Sequence, residues 1–202
     1  MRKHIENTKE WYVLNDIVVT QSYIDDVIKC KNNMIYVEFS PEELQKIDDF
    51  VTQVIQTKQQ ERHHKIDNKN EYKRFFTGMM GEYAVEKIFK QKFVDWSIGK
   101  STNYNVADLK ALGINVGIKT VEIGKYPIIH KEAERPEIIC IRRKDNLIII
   151  CGLATIDVLN TYQDDSLVLS PYLRRRGVKT GFNGFEHLVG FSTLEDLKKY
   201  SV

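Results

Sequence analysis

An α/β (or α+β) domain built around one mixed sheet is the fold class this sequence predicts. Three observations predict it. Two stretches, about 41–60 and 71–92, repeat apolar residues at helical spacing. The middle of the chain then changes to short β-branched runs at 106–110, 116–122, 137–142 and 146–151. Helix-start signals return at 154–159 and at Ser192-Thr193-Leu194-Glu195. The order helix, strands, helix argues for a mixed sheet flanked by helices.

Taken in order, residues 1–70 read as a mostly helical N-terminal extension, with strand-like or irregular pieces at 11–20 and 34–39. Its best-defined element opens at Ser40-Pro41-Glu42-Glu43. Ser40 can cap a helix, Pro41 suits its first position, and Glu43 completes a capping box. Leu44, Ile47, Val51, Val54 and Ile55 follow on one face. The polar stretch 61–70, with His63 and His64, reads as a loop or an exposed helical extension. Residues 71–202 form the core, ending in a basic loop and a helix. No linker separates the two parts, so they are expected to form one structural unit.

The chain has 202 residues, 42% of them hydrophobic and 29% charged, which excludes a disordered chain and allows a sizeable core without disulfides or structural metal. No apolar run approaches the ~18 residues of a membrane span. The N-terminus shows no apolar stretch behind its basic residues. Cys30, Cys140 and Cys151 are odd in number and lack a CxxC pair, as expected of free thiols in a reducing cytoplasm. Net charge is only +2, so any polyanion site must come from local charge. HExxH, Walker A, GxGxxG and GxSxG motifs are absent, and no histidine joins a cysteine at zinc spacing.

Two placements carry chemistry. On a helical wheel, Phe75 and Phe89 fall about 20° either side of Glu82, with Gly78, Met79 and Val85 within about 60°. Glu82 is therefore expected inside an apolar stripe, where an ionised carboxylate is costly unless paired. Gly78 on that stripe would let another backbone approach. Next, a two-residue turn at Gly113-Ile114 would make a hairpin of 106–110 and 116–122. Its register puts Leu109, Ala111, Val116 and Ile118 on one face. On the other, Asp108 lies opposite Lys119 and Lys110 opposite Gly117. A carboxylate pair beside a lysine is the set a phosphodiester hydrolase uses.

These residues resemble the PD-(D/E)XK nuclease superfamily. Gly81-Glu82-Tyr83-Ala84 on a helix, then Asp108, then Ile118-Lys119-Thr120 follow that family's order of helical acid, strand acid and acidic-x-Lys motif. The resemblance spans roughly residues 71–160. It implies a restriction-endonuclease-like αβββαβ core and a Mg²⁺-dependent DNA nuclease, with Mn²⁺ as a substitute. It further implies that Asp108, Glu82 and the Ile118 carbonyl hold metal, and that Glu82, Asp108 and Lys119 are catalytic. DNA is the expected partner, no membrane is expected, and a homodimer is left open.

The chain departs from that pattern at Gly117, where the family has an acid. Glu122 is the nearest replacement, but alternation puts it on the face opposite Lys119. The alternative reading is therefore a nuclease-fold protein with weakened or lost chemistry that binds nucleic acid or a protein. On the sequence, Gly117→Glu would restore the acid. Arg174, Arg175, Arg176 and Lys179 form an acid-free basic loop suited to phosphate, with Tyr172, Phe182 and Phe185 available for stacking. The stretch 58–74 carries six Lys or Arg against three acids, and places Lys73 and Arg74 as further nucleic-acid contacts.

Overall fold

The structure is a computed structural model and describes residues 2–6, 9–14, 17–28, 34–59, 68–98 and 106–201. The expectations for Cys30, for His63 and His64 and for most of 61–70 fall outside these residues.

Strands β1 (Arg2–Glu6), β2 (Lys9–Leu14) and β3 (Ile17–Thr20) form an antiparallel meander. A short helix, α1 (Gln21–Tyr23), and a π-helical turn, Ile24–Ile28, follow, and then β4 (Ile35–Glu38). The first 70 residues thus carry four strands beside α2, and β2, β3 and β4 fall on the strand-like pieces expected at 11–20 and 34–39. β4 pairs antiparallel with β8 (Leu147–Ala154) and so belongs to the central sheet. Helix α2 (Pro41–Gln59) starts where expected. The Ser40 N–H donates to the Glu43 carboxylate at 2.8 Å, and the Glu43 N–H donates to the Ser40 hydroxyl at 3.3 Å.

Helix α3 (Asn68–Phe89) is buried almost all the way round, between α2 and the sheet. Its least accessible residues, Met80, Ala84 and Val85, include two that lie opposite Glu82 on the wheel. Glu82 itself is half-buried. The apolar stripe centred on Glu82 is therefore the helix's rim, not its deepest face. Lys90 ends the helix with φ 53. The Glu86 carboxylate then accepts the N–H groups of Phe93 and Val94 at 2.8 and 2.9 Å, folding the chain back.

The central sheet has the order β4-β8-β7-β5. β5 (Gly117–Glu122) runs parallel to β7 (Glu137–Lys144), and β7 runs antiparallel to β8. Side chains alternate on β7 and β8. Ile138, Cys140, Ile148 and Ile150 pack toward α2 and α3. Ile139, Ile141, Ile149 and Cys151 pack on the other face, against Tyr23, Leu159, Phe182 and Phe185. Both faces are covered over 138–141 of β7 and along β8, so these stretches read as unbroken apolar runs. Cys140 and Cys151 are buried free thiols, as expected. Among the described residues no helix is long and apolar enough to cross a membrane.

A second small sheet, β6 (Ile128–His130), β10 (Lys179–Phe182) and β9 (Gln163–Asp164), adjoins the second face. Helix α4 (Ile156–Thr161) precedes β9, and helix α5 (Pro171–Arg176) leads into β10. Helix α6 (Leu194–Lys198) closes the chain. Its cap is Thr193 with Asp196, one residue later than the Ser192/Glu195 pairing the sequence suggested.

Gly81 places α3 on the sheet. A Cβ there would overlap the Thr120 hydroxyl of β5, whereas a Cβ on Gly78 meets nothing within 4 Å. Close backbone approach thus occurs at Gly81 and not at Gly78. Gly81→Val should destabilise the fold by about 1–3 kcal/mol through overpacking. Gly78→Ala should be neutral or stabilise it by up to about 1 kcal/mol. Denaturant unfolding of both variants checks this, and the reverse order would contradict the packing described.

Candidate active site

The predicted hairpin is not present. Residues Asp108–Leu112 form a 3₁₀ helix, ended by Gly113 in the left-handed conformation with φ 72. Gly113 read as the first residue of a hairpin turn, but it is a helix stop. A run of five residues with alternating polarity fits one helical turn as well as a strand. Leu109 is the apolar anchor of that turn and is fully buried.

The 3₁₀ helix nevertheless delivers Asp108 to β5. β5 is an edge strand. The Gly117 N–H points toward β7 and donates to the Pro136 carbonyl at 3.0 Å. The Ile118 N–H therefore points to the open edge, where it donates to Asp108 Oδ2 at 2.5 Å. In extended backbone the N–H and C=O of one residue point the same way. The Ile118 carbonyl is thus directed toward the same edge as Asp108.

Alternation then divides the side chains of β5. Ile118, Thr120 and Glu122 face α3, as shown by the Gly81–Thr120 contact and by a Lys73–Glu122 ion pair of 2.7 Å. Gly117 and Lys119 face the second layer. In the parallel register Gly117 lies beside Glu137, the first residue of β7. A Cβ built on Gly117 would stand 2.5 Å from Glu137 Oε2 and 2.9 Å from Oε1. The Glu137 carboxylate therefore fills the space that a side chain at position 117 would enter, on the face that carries Lys119. The acid absent at Gly117 has a counterpart in Glu137.

Electrostatics tie the groups together. Burial raises the pKa of Asp108, against the Ile118 N–H, Arg135 and Lys119, which lower it. Burial likewise raises that of Glu137. Lys119 and Arg135 lower it and the Asp108 charge raises it further. Arg135 Nε lies 3.6 Å from Glu137 Oε1. Burial pushes Glu82 up to about 8, with the charges of Asp108 and Asp95 adding to the shift. Asp108 is the link: it acts on Glu82 from one side and on Glu137 from the other. Among the described residues Lys119 forms no ion pair, which leaves its ammonium available to an incoming anion.

On the second face the surroundings are cationic. Burial, then Lys119, push Lys179 down to about 8, with Arg176 and Arg135 adding to the effect and Glu137 opposing it. His130, opposite Lys179 in the β6/β10 register, is also lowered by burial, Lys179 and Lys119.

The structure thus brings Glu82, Asp108, Ile118 and Lys119 to one edge strand, and adds Glu137, Arg135, Lys179 and His130. The sequence contained one sign of Glu137, a charged residue directly before the apolar run 138–141. Placing it beside Gly117 requires knowing that β5 and β7 run parallel. The remaining candidate residues are placed as follows. Glu122 is held by Lys73 and Lys125, each at 2.7 Å, on the α3 face and cannot serve as the acid. Lys110 is exposed on the 3₁₀ helix and does not face Gly117. The basic loop is a short helix ending at Gly177. Arg174 is bound to the Val168 and Ser166 carbonyls, which holds its guanidinium in place with two of its five N–H donors. Arg175 and Arg176 are exposed. Phe182 and Phe185 are core residues and do not stack on a ligand. Lys73 and Arg74 are exposed and form surface ion pairs with Glu122 and Glu71.

No protein-family model matches the chain, and neither curated proteins nor solved structures match it.

Glu82 gives a pH test. Its folded-state pKa of about 8 lies above the usual 4.5. Between those values the folded chain holds a proton that the unfolded chain has released, so stability falls as pH rises from about 5 to about 8. Above about 8 both states are ionised and this contribution is flat. In metal-free buffer, Glu82→Gln should lessen the fall and gain on the unaltered protein as pH rises. Denaturant midpoints measured across that window check it. Parallel curves for the two proteins would contradict the burial of this carboxyl.

Proposed function

We propose that the chain is a Mg²⁺-dependent DNA nuclease that hydrolyses phosphodiester bonds. The observation that carries this reading is the Glu137 carboxylate lying over Gly117 on the Lys119 face. It supplies the acid whose absence from the acidic-x-Lys motif was the main argument for a non-cutting relative. Asp108 and the directed Ile118 carbonyl complete a set of oxygen donors at the open edge of β5.

These donors suit Mg²⁺. That ion is commonly held by one or two carboxylates, keeps several waters, and does not need an all-protein cage. Among the described residues no group of three or more His, Cys, Asp or Glu side chains stands ready to hold a metal ion. Two carboxylates and a carbonyl remain a fitting set for a cation that brings its own water. When bound, Mg²⁺ would polarise the phosphate and lower the pKa of water. Asp108 and Glu137 would hold the ion. Lys119 would orient the water or offset the charge that develops on the phosphoryl oxygens. Burial and the Asp108 charge push Glu82 up to about 8, so its carboxyl adds less negative charge beside Asp108 near neutral pH. Arg135 and Lys179 make the second face attractive to a phosphate backbone.

Asp108→Ala, Lys119→Ala and Glu137→Ala should each lower Mg²⁺-dependent cleavage of linear or circular DNA by about 100-fold or more, with circular dichroism unchanged. Gly117→Glu alone should also lower cleavage, because its side chain displaces the Glu137 carboxylate. The double variant Gly117→Glu/Glu137→Ala should recover much of the loss by moving the acid back to β5. Absence of cleavage by the unaltered protein in Mg²⁺, or full cleavage by all three alanine variants, would sink the proposal.

A further inference from the structure

A pocket of about 400 Å³ lies beside this site, lined by Lys131, Asp165, Ser166, Arg174, Gly177 and Lys179. Three chain segments build it. Lys131 follows β6, and its N–H donates to the Val178 carbonyl at 3.2 Å. Asp165 and Ser166 belong to the 3₁₀ turn Asp165–Leu167. Arg174, Gly177 and Lys179 come from α5 and the start of β10. Three cationic side chains therefore line one concavity against a single acid, Asp165, which is paired with Lys131 at 2.6 Å. Two positive charges are left over.

Two details show that this charge is arranged for a compact anion. The Arg174 guanidinium is fixed in the wall because Nε donates to the Val168 carbonyl and one terminal nitrogen donates to the Ser166 carbonyl at 3.1 Å. A guanidinium has five N–H donors, so three remain in a fixed plane. At Gly177 the wall is bare backbone, and a Cβ there would meet nothing within 4 Å. The pocket thus combines a braced arginine, two lysines and open room.

We propose that this pocket binds a phosphate group as its dianion, in the form of the terminal phosphomonoester of a nucleic-acid strand. A monoester carries about −1.5 to −2 charges near neutral pH, which matches the two surplus positive charges; an internal diester carries one. The carrier follows from Lys179, which lines the pocket and also acts on Glu137 beside the carboxylate site. A strand end held there would place the following linkages toward Lys119 and Asp108. The identity of the carrier rests on the nuclease reading; the anion specificity does not.

The test is binding without cleavage. In EDTA, the affinities of a short single strand bearing a 5′-phosphate, a 3′-phosphate or neither are compared by fluorescence anisotropy, with inorganic phosphate as competitor. One phosphorylated strand should bind about tenfold or more tightly than the unphosphorylated one, and inorganic phosphate should reduce that advantage. Lys131→Ala should abolish it and Lys131→Arg should retain most of it, with both variants melting as the unaltered protein does. Equal affinity of all three strands would overturn the proposal. So would competition by inorganic phosphate without any preference for a phosphorylated end, because the pocket would then take only the free anion. Since no metal is present, a preference that appears in a protein unable to cut DNA would leave the pocket standing and remove the nuclease reading alone.

Discussion

β5 and β7 run side by side in the same direction, and their register sets Gly117 against Glu137. Everything at the site depends on that pairing. A residue with a Cβ at position 117 would collide with the carboxylate, so the glycine is what allows Glu137 to lean across the neighbouring strand. The parallel arrangement in turn requires a crossover between the strands. Residues 123–136 make it, and they bring β6, Lys131 and Arg135 to the same side of the sheet. The connection that makes the register possible also delivers the cations around the carboxylates.

Charge is balanced here by position. Three carboxyl groups, on α3, on the 3₁₀ helix and on β7, lie where burial raises their pKa values. Withdrawn from water with no partner, such a set would be costly. Lys119 and Arg135 offset part of the cost at Asp108 and Glu137, and the Ile118 N–H satisfies one Asp108 oxygen. Glu82 has no such cation among its named neighbours and keeps its proton instead. The arrangement is electrically tense in two directions. The carboxylates favour a cation, and Lys179, crowded by Lys119, and His130, crowded by both, favour an anion. A phosphodiester with a bound metal ion offers both.

How much of this was legible in the sequence differs by element. Helices α2 and α3 announce themselves through apolar spacing, and the Ser40/Glu43 box marks the first one to the residue, because capping is a local interaction between near neighbours. The runs at 137–142 and 146–151 are strands for an equally local reason, their density of β-branched residues. The hairpin was misread because Gly113 serves two purposes: a positive φ suits a turn between strands and also a helix stop. Asp108 still comes within electrostatic reach of Lys119, since the 3₁₀ helix folds back on β5 and Asp108 reaches Ile118. Glu137 was out of reach, because strand direction and partner are non-local. Consecutive strands invite an antiparallel reading, which would have put Glu137 far from Gly117. For Glu122 strand alternation alone gave the right face, while its ion pairs with Lys73 and Lys125 needed the structure.

The open edge of β5 explains why the site sits where it does. An edge strand presents backbone groups that lack ladder partners, and proteins usually cover or blunt them. Here the covering element is the 3₁₀ helix, and it covers with a carboxylate. Asp108 accepts the Ile118 N–H, which caps one of those groups and fixes the acid within reach of the adjoining carbonyl. The interaction that protects the edge also assembles oxygen donors from backbone and side chain at one point. An interior strand could not provide this, since both of its edges are used by neighbours. Glu137 lies on the paired side, over Gly117, where the Asp108 charge still acts on it, so carboxylates flank β5 on both of its edges while Lys119 stands on the strand itself.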